Sequence, residues 1–154
     1  MLKDENIIDF ESALAPWLGK TVKSVDYFLQ ETLNENNLNL TKEQVIVLKR
    51  LHDHDGMNQN ELAFITLRNK SSLTRLLSNM EKKGYIIRNQ STVDKRIKHV
   101  YLTQLGKDIF LKIRPVLKNV MMTIERGISD QEKKQMINTL KKIQHNLNTK
   151  IESI

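Results

Sequence analysis

The sequence predicts a mainly α-helical chain with a small β component (α+β), and three features carry that prediction. Apolar residues recur at helical spacing over most of the 154 residues. Several polar residues are followed three positions later by Glu or Gln, the pattern of a helix N-terminus. One short stretch, 85–102, alternates instead with a period of two, as paired strands do. Glycine and proline, at five and two, are too scarce for an all-β fold built on many turns.

The elements follow in order. A short helix is expected at about 5–14, opened by Asp9 and Ser12, although this pair lacks the usual acid at the later position. Pro16 suits a first helical turn, so a longer helix is expected at about 16–35, with Leu18, Val22, Val25, Leu29 and Leu33 on one face. Residues 34–40 are a loop by composition. Thr41 with Gln44 opens a helix at about 42–53, which His54, Asp55 and Gly56 end. Asn58 with Glu61 opens a brief helix at about 59–66. The next helix, about 70–83, carries Leu73, Leu76, Leu77 and Met80 on one stripe, with Lys82 and Lys83 where the dipole favours cations. Gly84 supplies a left-handed stop. Residues 85–89 and 97–102 read as two paired strands. Thr103 caps a long helix, about 104–126, with Leu105, Ile109, Ile113, Val116, Leu117, Val120 and Ile124 inward and a kink expected at Pro115. Ser129 with Glu132 opens the last helix, striped by Met136, Leu140, Ile143, Leu147 and Ile151.

Composition excludes several classes. The chain has no cysteine, so disulfides, thiolate metal sites and thiol redox sensing are ruled out. Residues 1–10 are net acidic and hold no long apolar run, unlike a signal peptide. No apolar run approaches the roughly 20 residues that cross a bilayer. A cytoplasmic chain without membrane contact is the expectation. No nucleophile elbow, phosphate loop or metal-hydrolase helix is present, so no enzyme and no cofactor is expected.

Charge is more telling. Residues 68–98 hold nine basic and two acidic side chains, a surplus of seven. That equals the net +7 of the whole chain, and the other residues cancel. An anionic partner is expected there. In the same stretch, two short helices meet at a tight connection near Leu67, Arg68 and Asn69, the spacing of a helix-turn-helix. Its second helix would face base edges with Lys70, Ser71, Ser72, Thr74 and Arg75. The hairpin tip holds Asp94, Lys95 and Arg96, and an arginine on a slim loop fits a narrow minor groove. Asp94 is expected either to orient Arg96, to pair with Arg75, or to act as an ordinary turn-forming aspartate.

The residues Leu40 to Gln44, Val47-Leu48, Asn58 to Ala63, Thr74-Arg75, Glu81 to Arg88, Asp94 to Arg96 and Leu102 to Gly106 resemble, in order and spacing, the MarR family of transcriptional regulators. Gly127 to Glu132 is similar to the start of that family's last helix. The match covers about 115 residues. The resemblance implies a winged helix-turn-helix lobe at 36–103 within a single domain of 1–154. It implies that the helices of 1–35 and 104–154 form a homodimer interface. It implies recognition of a pseudo-palindromic double-stranded DNA by the helix from Lys70, with Arg96 as the wing arginine and Asp94 as its partner. It implies a regulator, usually a repressor, often relieved by a small aromatic ligand. Asn58 stands where the family often has Thr. The family's cysteine-based sensing is excluded.

The terminal helices support the dimer independently, since each carries an apolar stripe that the rest of the chain is too small to cover; a monomer with these helices folded back is the alternative. Trp17, Phe28 and Phe110, with Tyr27 nearby in sequence, are candidates for an aromatic ligand pocket, or are core and interface. His52 and His54 invite a metal reading, but positions two apart on a helix point to different sides, and no metal is expected. The alternative function is a non-specific architectural DNA-binding protein, which would use the same basic surface without preferring a palindrome. A winged helix used for protein contact would instead lack DNA affinity even in dilute buffer.

Overall fold

The computed structural model describes residues 9–65 and 69–147, and within them six helices and three strands are present. Helix α1 is Leu14–Glu35, α2 Lys42–Asp53, strand β1 Met57–Asn58, α3 Gln59–Ile65, α4 Lys70–Lys82, β2 Ile86–Gln90, β3 Lys98–Leu102, α5 Gln104–Ile124 and α6 Asp130–Asn146. The strands form one antiparallel sheet in the order β1-β3-β2.

Capping chemistry sets most helix starts. Thr41 Oγ1 accepts the Gln44 N–H and Gln44 Oε1 accepts the Thr41 N–H, a complete capping box. Ser129 and Glu132 form the same box before α6. Asn69 accepts the Ser72 N–H before α4, and Thr103 accepts the Gly106 N–H before α5. Asn58 Oδ1 accepts the Asn60 N–H at the start of α3.

Two expectations need correction. Residues 9–13 form a turn, and helix begins only at Leu14. Asp9 accepts from Glu11 N–H, Ser12 N–H and Ser12 Oγ, but these bonds close the turn on itself and start no helix. Residues 5–8 of that expected helix lie outside the described residues, as do the connection at Leu67-Arg68 and Ile151 of the last stripe. The sheet has three strands, not two, because Met57 pairs with Val100 and Asn58 with His99. A two-residue strand is too short for any periodicity to announce it.

The core lies beneath the central lobe. Leu48, Leu51, Leu62, Leu73, Leu77, Met80, Ile86 and Val100 are buried in one cluster that reaches Leu33 on α1 and Ile113 on α5. Helix α6 contributes no buried residue. Two backbone positions depend on glycine. Gly84, at φ 76°, closes α4: its N–H bonds to the Glu81 carbonyl and the Tyr85 N–H to the Met80 carbonyl, the Schellman pattern. Gly106 allows α5 to approach that corner, for a Cβ there would lie 2.0 Å from the Tyr85 carbonyl oxygen.

Candidate nucleic-acid interface

Helix α4 is held from below and at its C-terminal end, which leaves its outer face exposed. Leu73, Leu76, Leu77 and Met80 sink into the core. At its C-terminal end Lys83 donates to the Asn39 carbonyl at 2.7 Å and to Gln44 Oε1 at 3.4 Å, fixing α4 to the start of α2. Helix α2 is itself tied to α1 by the Lys42–Asp26 ion pair at 2.7 Å. The same end of α4 is joined to the sheet by Arg88 on β2, which donates to Glu81 Oε2 at 2.6 Å and to Ser78 Oγ at 3.2 Å. The Arg88 guanidinium beside Glu81 holds that carboxyl below the usual carboxylate range.

The predicted reading residues share the outer face of α4. Lys70, Ser71, Thr74 and Arg75 are exposed and Ser72 is half-buried. They border two clefts. One, about 470 Å³, lies toward the start of α2 and is lined by Ser71, Ser72 and Arg75 together with Thr41 and Glu43. The other, about 200 Å³, lies toward α3 and the hairpin and is lined by Thr74, Gln59, Asn58, Arg88, Arg96 and Lys98. The fold therefore brings Thr74 of the helix and Arg96 of the hairpin loop to one cleft, although 22 positions separate them.

The hairpin tip is shaped by short-range hydrogen bonds. Ser91 Oγ accepts the Val93 and Asp94 N–H groups, and Gln90 Nε2 donates to the Lys95 carbonyl. Asp94 Oδ1 accepts the Arg96 backbone N–H at 2.9 Å, the turn-forming role. Among the described residues no ion pair joins Asp94 to Arg75 or Arg96, so the exposed side chains of Lys95 and Arg96 remain available.

The sequence count of nine cations treats unlike residues alike. Arg88 is spent on Glu81 and Lys83 on the α2 loop. Arg68 lies outside the described residues. Lys70, Arg75, Lys82, Lys95, Arg96 and Lys98 form the exposed group around α4 and the tip. Sequence reasoning missed Gln59 and Asp55. Asp55 Oδ1 accepts the Leu102 N–H at 2.8 Å, pinning the α2–β1 turn to β3. Only the fold reveals that contact, because 47 positions lie between the partners.

The other candidates stand as follows. Trp17 is exposed on α1, with its Nε1–H donated to the Glu11 carbonyl and Lys20 Nζ 5.6 Å from its ring centroid. Phe28 is half-buried on the same helix. Phe110 is 3% exposed and packs on His52, ring centroids 4.5 Å apart. Asp53 pairs with Lys49, which lowers its carboxyl pKa, and no cluster of three metal-ligating side chains occurs among the described residues. No helix among them is long and apolar enough to cross a membrane.

Comparison with known proteins places this geometry. Residues 40–98 match the model of the MarR family. The crystal structure of MarR is 26% identical, with a TM-score of 0.73 over 92% of this chain and 95% of that one. The S. aureus MepR–DNA complex is 24% identical, with a TM-score of 0.79 over 90% and 99%. Bordetella bronchiseptica BpsR, whose DNA binding is regulated by 6-hydroxynicotinic acid, is 17% identical, with a TM-score of 0.80 over 89% and 96%.

Proposed function

We propose, from the match of residues 40–98 to the MarR family model, that this is a MarR-family winged-helix protein: a sequence-specific, double-stranded DNA-binding regulator that acts as a homodimer and represses transcription. The family consists of transcriptional regulators, not enzymes. The observation that carries the DNA reading is the exposed outer face of α4 beside a wing whose Lys95 and Arg96 are exposed and in no ion pair among the described residues. In this reading Lys70, Ser71, Ser72, Thr74 and Arg75 enter a major groove, while Lys95 and Arg96 lie against the adjacent minor groove. Asp94 shapes the wing through the Arg96 N–H. The lobe at 36–103 is the reader, and the helical regions 1–35 and 104–154 set the distance between two readers on a pseudo-palindromic operator. Such a regulator works in the cytoplasm. MepR, seen bound to DNA, supports the partner by likeness of fold.

The dimer is supported by apolar side chains left in solvent. Leu14 and Val22 on α1, Met121 and Met122 on α5, and Met136 and Leu147 toward the end of the chain are each more than half exposed. Water contact at so many large apolar groups is unfavourable, at about 25 cal/mol per Å², and a second copy with the same stripes would cover them. An effector is supported by BpsR and its hydroxynicotinic acid. Trp17, Phe28 and Phe110 are the aromatic residues proposed to receive such a ligand, and Phe110 would have to leave His52 to do so.

Selection from a random duplex library tests the function directly. Enrichment of an inverted repeat that resists excess random DNA is the expected outcome. Affinity without any enriched sequence would instead identify an architectural DNA-binding protein. An absence of duplex binding in dilute buffer would sink both. Trp17, the only tryptophan, should report a bound aromatic acid by a change in its fluorescence, and an unchanged spectrum across such acids would remove the effector.

A further inference from the structure

Thr74 makes two hydrogen bonds that settle where its hydroxyl proton lies. Its Oγ1 is 2.8 Å from the Lys70 carbonyl oxygen and 3.3 Å from Gln59 Nε2. A carbonyl can only accept, so the proton of Thr74 is committed to it. An amide nitrogen can only donate, so it occupies one of the two lone pairs of Oγ1. One lone pair remains, on the exposed side of α4. Turning the Gln59 amide over would make the Thr74 hydroxyl give up the Lys70 carbonyl to donate to the amide oxygen instead. The orientation with Nε2 toward Thr74 is the one that keeps both hydrogen bonds. That orientation leaves Gln59 Oε1 buried without a hydrogen-bond partner among the described residues. A buried, unpartnered oxygen is unfavourable, so something other than the stability of the free chain must account for the arrangement. The oxygen belongs to the residue that lines the cleft with Arg96 and Lys98, two donors on the wing side.

We propose that Gln59 is a positioning residue for base choice: it locks Thr74 of the recognition helix as an acceptor, so that Thr74 favours a base presenting an amino group. In the major groove those groups are adenine N6 and cytosine N4, whereas guanine presents only N7 and O6, and thymine O4 and a methyl. The inference rests on the DNA-binding reading above and deepens it. Without Gln59, the threonine hydroxyl is free to leave the Lys70 carbonyl and donate to guanine or thymine. Position 74 then reads less strictly, although nothing that touches DNA has been removed.

Selection of random duplexes by the full-length wild type, Gln59→Leu and Thr74→Val tests this. The wild type should show one symmetric pair of positions restricted to adenine or cytosine on the contacted strand. Thr74→Val should relax that pair and so identify it. Gln59→Leu should relax the same pair about threefold to tenfold, the discrimination of one hydrogen bond, while the remaining positions keep their preferences. A merely structural role for Gln59 predicts a uniform loss on every sequence, and that result overturns the proposal, as does a Gln59→Leu profile equal to the wild type. Should Gln59→Leu fail to fold, Thr74→Val decides alone, because guanine or thymine at the pair it relaxes overturns the proposal. Failure of the wild type to enrich any sequence would remove the DNA reading itself, a result separable from the others.

Discussion

In the proposed DNA reading Arg75 and Arg96 would place different demands on DNA, and substitution separates them. Arg75 stands one turn into α4 beside Ser71 and Ser72. If it reads a base, Arg75→Ala costs about 1–3 kcal/mol and relaxes one base step. Competition among operator variants checks this, and an equal loss on all sequences would make it a phosphate contact. Arg96 sits on a slender tip next to Val93, which is 95% exposed. Its loss should weaken binding mainly where flanks are A·T-rich and the minor groove is narrow. Gly106 makes a stability prediction at the same scale. Alanine there gains about 1 kcal/mol of helix propensity, but its Cβ would meet the Tyr85 carbonyl oxygen at 2.0 Å. That oxygen is already held by the Thr103 N–H at 3.1 Å and has little room to retreat. The clash should win, and thermal unfolding of Gly106→Ala should show a net loss of about 1–3 kcal/mol.

At the scale of elements, the hairpin and α4 are one unit because Glu81 on α4 binds Arg88 on β2. The carboxyl pKa of Glu81 is lowered, chiefly by its hydrogen bond from Arg88. A carboxylate whose folded pKa lies below its unfolded value stabilises the fold above the unfolded value. That contribution fades as pH falls through the lowered folded pKa. Glu81→Gln should therefore be less stable than the wild type near neutrality and equal to it in strong acid, as urea titrations at several pH values would reveal. Glu81 remains partly open to water, and screening keeps the difference to about 1 kcal/mol or less. A constant difference at all pH values would show that packing, not charge, joins the two elements.

How legible each element was follows from how locally it is determined. Helix α2 lies where Thr41 and Gln44 put it, because both partners of the capping box are three residues apart. Gly84 ended α4 for the same reason. The turn at 9–13 failed because Asp9 and Ser12 imitate a cap while no apolar stripe follows close enough to reward a helix. Strand β1 was invisible because its pairing to Val100 spans 43 positions. Among site residues, the outward positions of α4 follow from its inward leucines. Gln59 and Asp55 act through partners 15 and 47 positions away, and no spacing rule reaches them.

At the scale of the whole molecule, the lobe and the terminal helices meet different tests. Helix α6 contributes nothing to the buried core, so a chain ended after Gly127 should keep a folded lobe and lose the dimer. Light scattering and circular dichroism check the two halves, and a stable dimer from the shortened chain would discard the proposed interface. Full-length protein should bind duplex DNA with steep salt dependence, the log–log slope falling by about 0.9 per phosphate contact. A flat dependence would contradict the role given to the exposed cations.

By itself the sequence determined what neighbours can decide: the helix starts and stops, the inward stripe of α4, and the basic stretch beside it. Each depends on groups within about one helical turn, where capping and periodicity act. Tertiary structure alone decided which cations stay free, since Arg88 and Lys83 are neutralised or fastened by partners that only folding brings close. It also decided that Thr74, Gln59 and Arg96 share one cleft. Local chemistry shapes each piece, but the charge and hydrogen-bonding character of a surface depends on what folding places next to each side chain.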